Sequence, residues 1–202
     1  MYSVVTFQQV SCILLSAGNS ERMGSHKALL RFDKDLTFLE KIINTYLEAG
    51  IEQVIVVISA NLADLLKERK FDFLPGVEFV INANPEWGRF YSLQKGLGQM
   101  KPGHFCFFQN IDNPFITYDL LQLMISRKGI ADVIIPVFQE RSGHPVLFNQ
   151  VVAQSILSPN STELKINEFL KQFSSERMEV SDPAILININ SKEDYHKSGL
   201  KI

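Results

Sequence analysis

Short apolar runs alternate with amphipathic stretches from one end of the chain to the other. The runs cover residues 12–15, 54–59, 77–82, 105–109, 132–138, 145–148 and 184–189. They are four to eight residues long, rich in Val, Ile and Phe, and bounded by turn residues, which is the pattern of strands buried on both faces. Helices are predicted between them, over 37–49, 62–70, 92–100, 118–128, 150–157 and 162–173, with a last short one from Ser191. The first opens on a capping box, Thr37-x-x-Glu40, and stops at Gly50. Asn61 is the expected N-cap of the second, and Ser191-x-x-Asp194 is the box of the last. Strand alternating with helix implies an α/β fold with a mainly parallel sheet and right-handed crossovers. In such sheets ligands bind beyond the carboxyl ends of the strands. The chemistry is therefore expected in the loops that follow the runs.

Composition narrows this further. With 202 residues, the chain is predicted to form a single domain over 1–202. An apolar share of 46% excludes intrinsic disorder. No apolar run approaches the length of a membrane span. A net charge of -2 argues against a nucleic-acid partner. Cys12 and Cys106 lie inside apolar runs and show no disulfide or zinc spacing, so reduced core thiols are expected. The first ten residues lack a basic region and a cleavage site, and a cytoplasmic location is the expectation.

The loop after the first run reads Leu15-Ser16-Ala17-Gly18-Asn19-Ser20-Glu21-Arg22-Met23-Gly24-Ser25-His26-Lys27. Gly18 and Gly24 allow backbone N–H groups to approach a ligand closely. Successive N–H groups in a tight turn make an anion nest. Arg22 adds a fork suited to phosphate oxygens and Lys27 a point charge. The spacing fits neither a Walker loop nor G-x-G-x-x-G. A solvated polar surface loop is the other reading of its composition.

The stretch resembles the L-x-A-G-x-S-x-R-M-G-x-x-K signature of the MobA-like NTP-transferase superfamily, at Leu15, Ala17, Gly18, Ser20, Arg22, Met23, Gly24 and Lys27. The Ala-Gly form is closest to its molybdenum cofactor cytidylyltransferase branch. Four more blocks follow in order. Asn84-Pro85-Glu86-Trp87-Gly88 with Ser92-Leu93-x-x-Gly96-Leu97 resembles N-P-x-W-x-x-G-M-x-S-S-L-x-x-G-L. Asp112-Asn113-Pro114 resembles the D-Q-P metal motif, Gly143-His144-Pro145-Val146-Leu147-Phe148 matches G-H-P-V-L-F, and the stretch from Asn188 to Asp194 resembles D-I-D-T-P-E-D. The likeness spans about residues 11–195.

This resemblance implies a Rossmann-like three-layer α/β/α fold of the nucleotide-diphospho-sugar transferase type. It implies a cytoplasmic transferase that moves NMP, most readily CMP from CTP, onto a phosphorylated acceptor such as molybdopterin, in molybdenum cofactor biosynthesis. A molybdoenzyme or its chaperone is then an expected partner. Nucleotide binding is expected at Leu15, Ala17, Gly18, Ser20, Arg22, Gly24, Lys27, Asn84 and Ser92. Arg22, Lys27 and Asp112 are the expected catalytic residues, His144 faces the acceptor, and Mg²⁺ is expected on Asp112 and Asn190.

The residues also admit bland roles: a turn residue for Asp112, an N-cap for Ser92, a shaped turn for His144 and core packing for Trp87. His26, His104 and His196 read as surface or loop residues. The chain departs from the family pattern in places. Asn188-Ile189-Asn190 replaces Asp-Ile-Asp, which weakens a metal site by one compensating charge. Arg89-Phe90-Tyr91 replaces small residues and reshapes a pocket wall, and Lys165 stands about where the family has an arginine. Two other readings stay open: transfer onto a sugar or alcohol phosphate, and a catalytically weak member that binds nucleotide or cofactor.

Overall fold

The computed structural model describes residues 9–18, 26–69, 71, 74–158 and 165–200. The opening strand β1 (Val10–Ser16) lies in the middle of a sheet, fully buried along its length. Next to it run β2 (Gln53–Ser59) and then β3 (Val77–Asn82), both parallel, and on its other side β4 (Phe105–Asn110), also parallel. Beyond β4 lies the hairpin of β5 (Val133–Phe138) with β6 (Arg141–Ser142) and β7 (Val146–Phe148). β6 and β7 are two stretches of one returning segment, broken at Gly143-His144-Pro145, and β7 is the antiparallel bridge to β4. β8 (Ser175–Glu179) closes the far edge, parallel to β5.

Alternation along the strands sorts side chains onto two faces. Val10, Cys12 and Leu14 point to one face with Val54, Val56 and Ile58, under α1 (Phe38–Glu48), α2 (Ala60–Glu68) and α4 (Tyr118–Ser126). Ile13 and Leu15 point to the other with Ile55 and Val57, under α3 (Gly88–Leu97), α5 (Gln150–Leu157) and α6 (Ile166–Leu170). The last helix α7 (Lys192–Lys197) adds Tyr195 to the first face. Three layers result, as the resemblance implied. The same alternation puts Cys12 and Cys106 in opposite cores, both free and buried, with burial raising both thiol pKa values. α3 packs close to the sheet at Gly96, where a Cβ would meet Ile13 Cγ2 at 2.6 Å.

Several expectations are corrected. The polar Ser-Glu-Arg-Met-Glu segment is an edge strand, although it has no apolar run. Residues 184–189 join no ladder among the described residues: Pro183 sits in the first turn of a short 3-10 helix (Pro183–Leu186), and the Asp182 side chain caps it at the Ala184 N–H. Ser59, not Asn61, caps α2, so that helix starts earlier. α3 starts at Gly88 rather than Ser92, because a 3-10 turn over Pro85–Trp87 feeds it directly. Trp87 is 61% exposed and not a core residue. His104 is buried, with Nδ1 3.0 Å from Ser11 Oγ. The predicted start of the helix at 162–173 lies partly outside the described residues; α6 is what is seen of it. Among the described residues no helix is long and apolar enough to cross a membrane.

Candidate active site

β1 and β4 end side by side, Leu15 opposite Asn110, and the Ile111 N–H donates to the Leu15 carbonyl at 3.1 Å. β2 and β3 lie on one side of β1 and β4 on the other, so the strand order reverses at the β1–β4 boundary. Crevices at such reversals are where open α/β sheets bind ligands. A cavity of about 240 Å³ opens there. Leu15, Ser16, Ala17 and Gly18 form its floor at the end of β1. Gly88, Arg89 and Ser92 enter from the start of α3, and Ile111 and Asp112 from the end of β4. Pro85, Asn110, His26, Lys27 and Asn190 complete the wall.

Three polar side chains meet across it. Lys27 Nζ donates to Asn190 Oδ1 at 2.9 Å and lies 3.6 Å from Asp112 Oδ2. The Lys27 and Asp112 side chains are only 15% and 17% exposed, so their attraction is little screened. Asp112 Oδ1 is buried and has no hydrogen-bond partner among the described residues. A carboxylate oxygen in that state can take a hard cation or a donor. Among the described residues no group of three or more His, Cys, Asp or Glu side chains is placed to hold a metal. Asp112 with the Asn190 carbonyl oxygen is the donor pair the cavity offers.

The segment after β8 positions Asn190. Asn113, fully buried, donates through Nδ2 to the carbonyls of Ile187 at 2.6 Å and Ile185 at 3.3 Å. The Ile189 N–H donates to the Asp112 carbonyl at 2.7 Å. The strap is thus tied to the loop that carries Asp112. Gln109 supports that loop, with Nε2 donating to the Asn110 and Asn113 carbonyls, both at 2.8 Å. On the strap's other end, the Asp194 carboxylate accepts from the Asn190 and Ser191 N–H groups and caps α7. Asn188 takes no part in the cavity: its Nδ2 donates to the Leu186 carbonyl.

A second cavity of about 550 Å³ adjoins the first, sharing Gly88, Arg89 and Asn110 as wall. His144 and Lys165 face it across Phe90 and Phe108. His144 follows Gly143, where a Cβ would sit 2.7 Å from the Ile185 side chain, so the hairpin and the strap touch here with no room for one. The His144 N–H donates to the Ile185 carbonyl at 3.0 Å, and Nε2 lies 3.5 Å from Asn110 Nδ2. Burial lowers the His144 pKa; Asp112 opposes this and Arg89 adds to it. His144 is therefore neutral at neutral pH.

The structure gathers most of the expected residues: Leu15, Ala17, Gly18, Lys27, Ser92, Asp112 and Asn190 on the first cavity, and His144 on the second. Asn84 stands apart. Its N–H is held by Asn82 Oδ1 and its side chain donates to Glu86 Oε1. Ser92 is no N-cap: inside α3, its Oγ donates to the Gly88 carbonyl and accepts from Asn82 Nδ2. Ser20, Arg22 and Gly24 lie outside the described residues. Phe90 walls the second cavity and stacks edge-on against Phe169, whereas Tyr91 turns under Trp87. His26 and Asn110 were not singled out by the sequence; their position next to Lys27 and at the end of β4 was the available signal.

Residues 12–177 match the model of the MobA-like NTP transferase domain. The chain belongs to that family. It is 25% identical to the molybdenum cofactor cytidylyltransferase of Escherichia coli over 189 residues, covering 92% of this chain and 93% of that protein. It is 30% identical to a probable molybdenum cofactor guanylyltransferase of Natranaerobius thermophilus over 211 residues, covering 94% of each. Among solved structures, Rv0371c from Mycobacterium tuberculosis superposes with a TM-score of 0.81 at 20% identity, covering 94% of this chain and 96% of that one. The family makes the chain a nucleotidyltransferase, and the cavity at the β1–β4 boundary is the candidate site for that chemistry.

Proposed function

We propose that the protein transfers a nucleotidyl group, CMP from CTP, onto the terminal phosphate of molybdopterin and releases pyrophosphate. The observation that carries this reading is the Lys27–Asp112–Asn190 cluster at the strand-order reversal, beside the Gly18 turn. In the reaction an acceptor phosphate oxygen forms a bond to the α-phosphorus as the bond to the β-phosphate oxygen breaks, and the electron pair leaves on pyrophosphate. Such chemistry needs alignment of the two reactants and positive charge near the phosphoryl oxygens. The Ala17–Gly18 backbone and Lys27 hold the triphosphate in the first cavity, with Arg22 of the same loop as a second cation. Arg89 stands on the wall shared by both cavities and faces the acceptor phosphate. His144 and Lys165 orient the acceptor in the second cavity.

Mg²⁺ fits the unpartnered Asp112 oxygen and the Asn190 carbonyl oxygen, and the triphosphate would supply further ligands. Bound there, it would neutralise charge on the phosphoryl oxygens. The choice of CTP rests on the Ser16-Ala17-Gly18 pattern and on the likeness to the cytidylyltransferase over nearly the whole chain. The likeness to guanylyltransferases makes GTP the competing donor. We further take residues 1–202 as one MobA-like domain, because both cores share one sheet, and place it in the cytoplasm, where its nucleotide substrate is abundant and its thiols stay reduced. A molybdoenzyme or its chaperone would receive the product.

The test is pyrophosphate release with each NTP, Mg²⁺ and molybdopterin. Release with CTP supports the proposal, and release with GTP alone moves the chain to the guanylyl branch. Lys27 on Asn190 favours one further reading, a member that binds nucleotide without turning it over. Tight NTP binding with no release on any acceptor would establish that reading instead.

A further inference from the structure

On the face of the sheet that α1 and α2 cover, a cavity of about 430 Å³ opens between α1 and the connection from α2 to β3. It shares no wall residue with the two cavities described above. Glu40, Ile43 and Asn44 reach it from one face of α1, three and four residues apart, with Thr37 a turn earlier. Leu29, Arg31 and Leu36 come from the segment before α1. Arg69, the C-cap of α2, comes with Phe71 and Leu74 from the connection into β3. Ile43 is buried whereas Leu74 is 38% exposed, so apolar surface runs from the core to the rim. Two arginines stand there against one carboxylate, and that carboxylate is in use. Glu40 Oε2 accepts from the Thr37 N–H at 2.7 Å and from the Thr37 hydroxyl at 2.6 Å. Arg31 spends one N–H on the Asp35 carbonyl at 3.3 Å, and a guanidinium carries five. The Arg69 backbone is fixed by its N–H, which donates to the Leu65 carbonyl at 3.1 Å.

We propose that this cavity is a second ligand site, separate from the transfer reaction, for a small amphiphile with an anionic head, and that its occupant acts as an effector of the nucleotide cup. Its volume falls within the usual range of ligand pockets, about 300–1,000 Å³. Guanidinium forks match a carboxylate or a phosphate head, and Leu36, Ile43, Phe71 and Leu74 offer cover for a compact apolar body. A bare anion would leave that apolar wall open to water, and a neutral apolar molecule would leave both charges unanswered. The route to the cup is short. His26 and Lys27 wall the cup, and Leu29 ends the 3-10 turn (Lys27–Leu29) that Lys27 begins. The Leu29 N–H donates to the His26 carbonyl at 2.9 Å, and the Leu30 N–H to the Lys27 carbonyl at 3.1 Å. A ligand seated on Leu29 and Arg31 therefore acts on the residues that set the Lys27 ammonium, and the two affinities are coupled in both directions. The site stands whichever nucleotide and acceptor the cup takes.

Octanoate and octyl phosphate are titrated calorimetrically into the wild type, with octanol and inorganic phosphate as probes that carry only the tail or only the head. At least one amphiphile should bind saturably and about tenfold or more tighter than either control, and which one binds tells a carboxylate site from a phosphate site. Arg31→Gln combined with Arg69→Gln removes both charges from exposed positions and should weaken that binding at least about tenfold, the loss expected for charged hydrogen bonds. Asn44→Trp fills the cavity from α1 and repeats the test should the double variant fail to fold. Saturating amphiphile should change the affinity of the wild type for a non-hydrolysable CTP analogue at least about threefold. It should change nothing in the variants, whose own nucleotide affinity stays that of the wild type. No saturable binding by either amphiphile, octanol binding as tight as theirs, or binding that both variants leave intact overturns the site. Binding that the variants remove, with no change in nucleotide affinity, leaves the site standing and overturns its link to Lys27. Amphiphile binding by a protein that takes no nucleotide removes the transfer reading and not the site.

Discussion

Lys27 holds the site together by touching both an amide oxygen and a carboxylate, and a bound triphosphate would take over that role as its partner. Lys27→Ala should weaken a non-hydrolysable CTP analogue by roughly ten- to a hundredfold, the loss expected for charged hydrogen bonds of about 1.5–3 kcal/mol. Calorimetric titration checks this. Asp112 carries the complementary prediction. Asp112→Asn keeps the shape but removes the charge, so Mg²⁺-dependent turnover should fall by at least about a hundredfold, or ~2.7 kcal/mol of barrier, while the urea midpoint stays close to wild type. His144 sets a pH dependence. Burial lowers its pKa, so the folded state binds fewer protons than the unfolded state below about pH 6.5. Its share of stability is complete above that value and is lost as pH falls toward the depressed folded pKa. His26 and His104 are shifted in the same direction by burial and add to the slope. His144→Asn should therefore flatten, without abolishing, the loss of urea resistance on acidification, as followed by denaturation at a series of pH values.

The strap from Ile185 to Asn190 is the element that makes two neighbouring loops one site. Asn113 ties it through two carbonyls, and the Ile189 N–H ties it through the Asp112 carbonyl. Asn113→Ala would leave both carbonyls without that donor, at a cost of about 2–3 kcal/mol, read as a lower urea midpoint. Nucleotide affinity should drop as well, because Asn190 is released. The sequence singled out Asp112 and Asn190 but neither the Asn113 tie nor the strap's form. Ala184–Leu186 look like strand residues because they are apolar, yet Pro183 and the Asp182 cap favour a short 3-10 turn. The central strands were legible for the opposite reason: buried on both faces, β1 and β2 are continuous apolar runs. β8 was not, since an edge strand with solvent beside it can be built from Ser, Glu and Arg. The start of α2 moved back by two residues because Ser59, a cap as good as Asn61, stands earlier and its side chain accepts from the Leu62 N–H. The exposed Trp87 shows the remaining difficulty, because residue type alone does not say whether an aromatic ring covers a core or rims a cavity.

At the scale of the whole molecule, the cavity is assembled from the end of β1, the start of α3, the end of β4 and the strap, so a ligand in it bridges distant parts of the chain. Occupancy should therefore stabilise the fold globally. A ligand at about a hundred times its dissociation constant adds ~2.7 kcal/mol, which for a chain of this length raises the melting temperature by roughly 5–10 °C. The order of the shifts is more telling than their size. The pair Asp112 and Asn190 offers one negative charge, already facing Lys27, and among the described residues no cluster of three or more acidic or soft ligands is placed to hold a cation. Mg²⁺ alone should then give almost no shift, because it would have to displace an ammonium with little charge to hold it. CTP alone should give a moderate shift through the Gly18 turn and Lys27. CTP with Mg²⁺ should give more than the sum of the two, since the phosphate oxygens complete the cation's ligands and free Asp112 from its pairing with Lys27. Differential scanning fluorimetry under the four conditions reads this directly. A shift with Mg²⁺ alone as large as that with the pair would mean that the cation has a site independent of the nucleotide, and Asn190→Asp is the variant expected to create one.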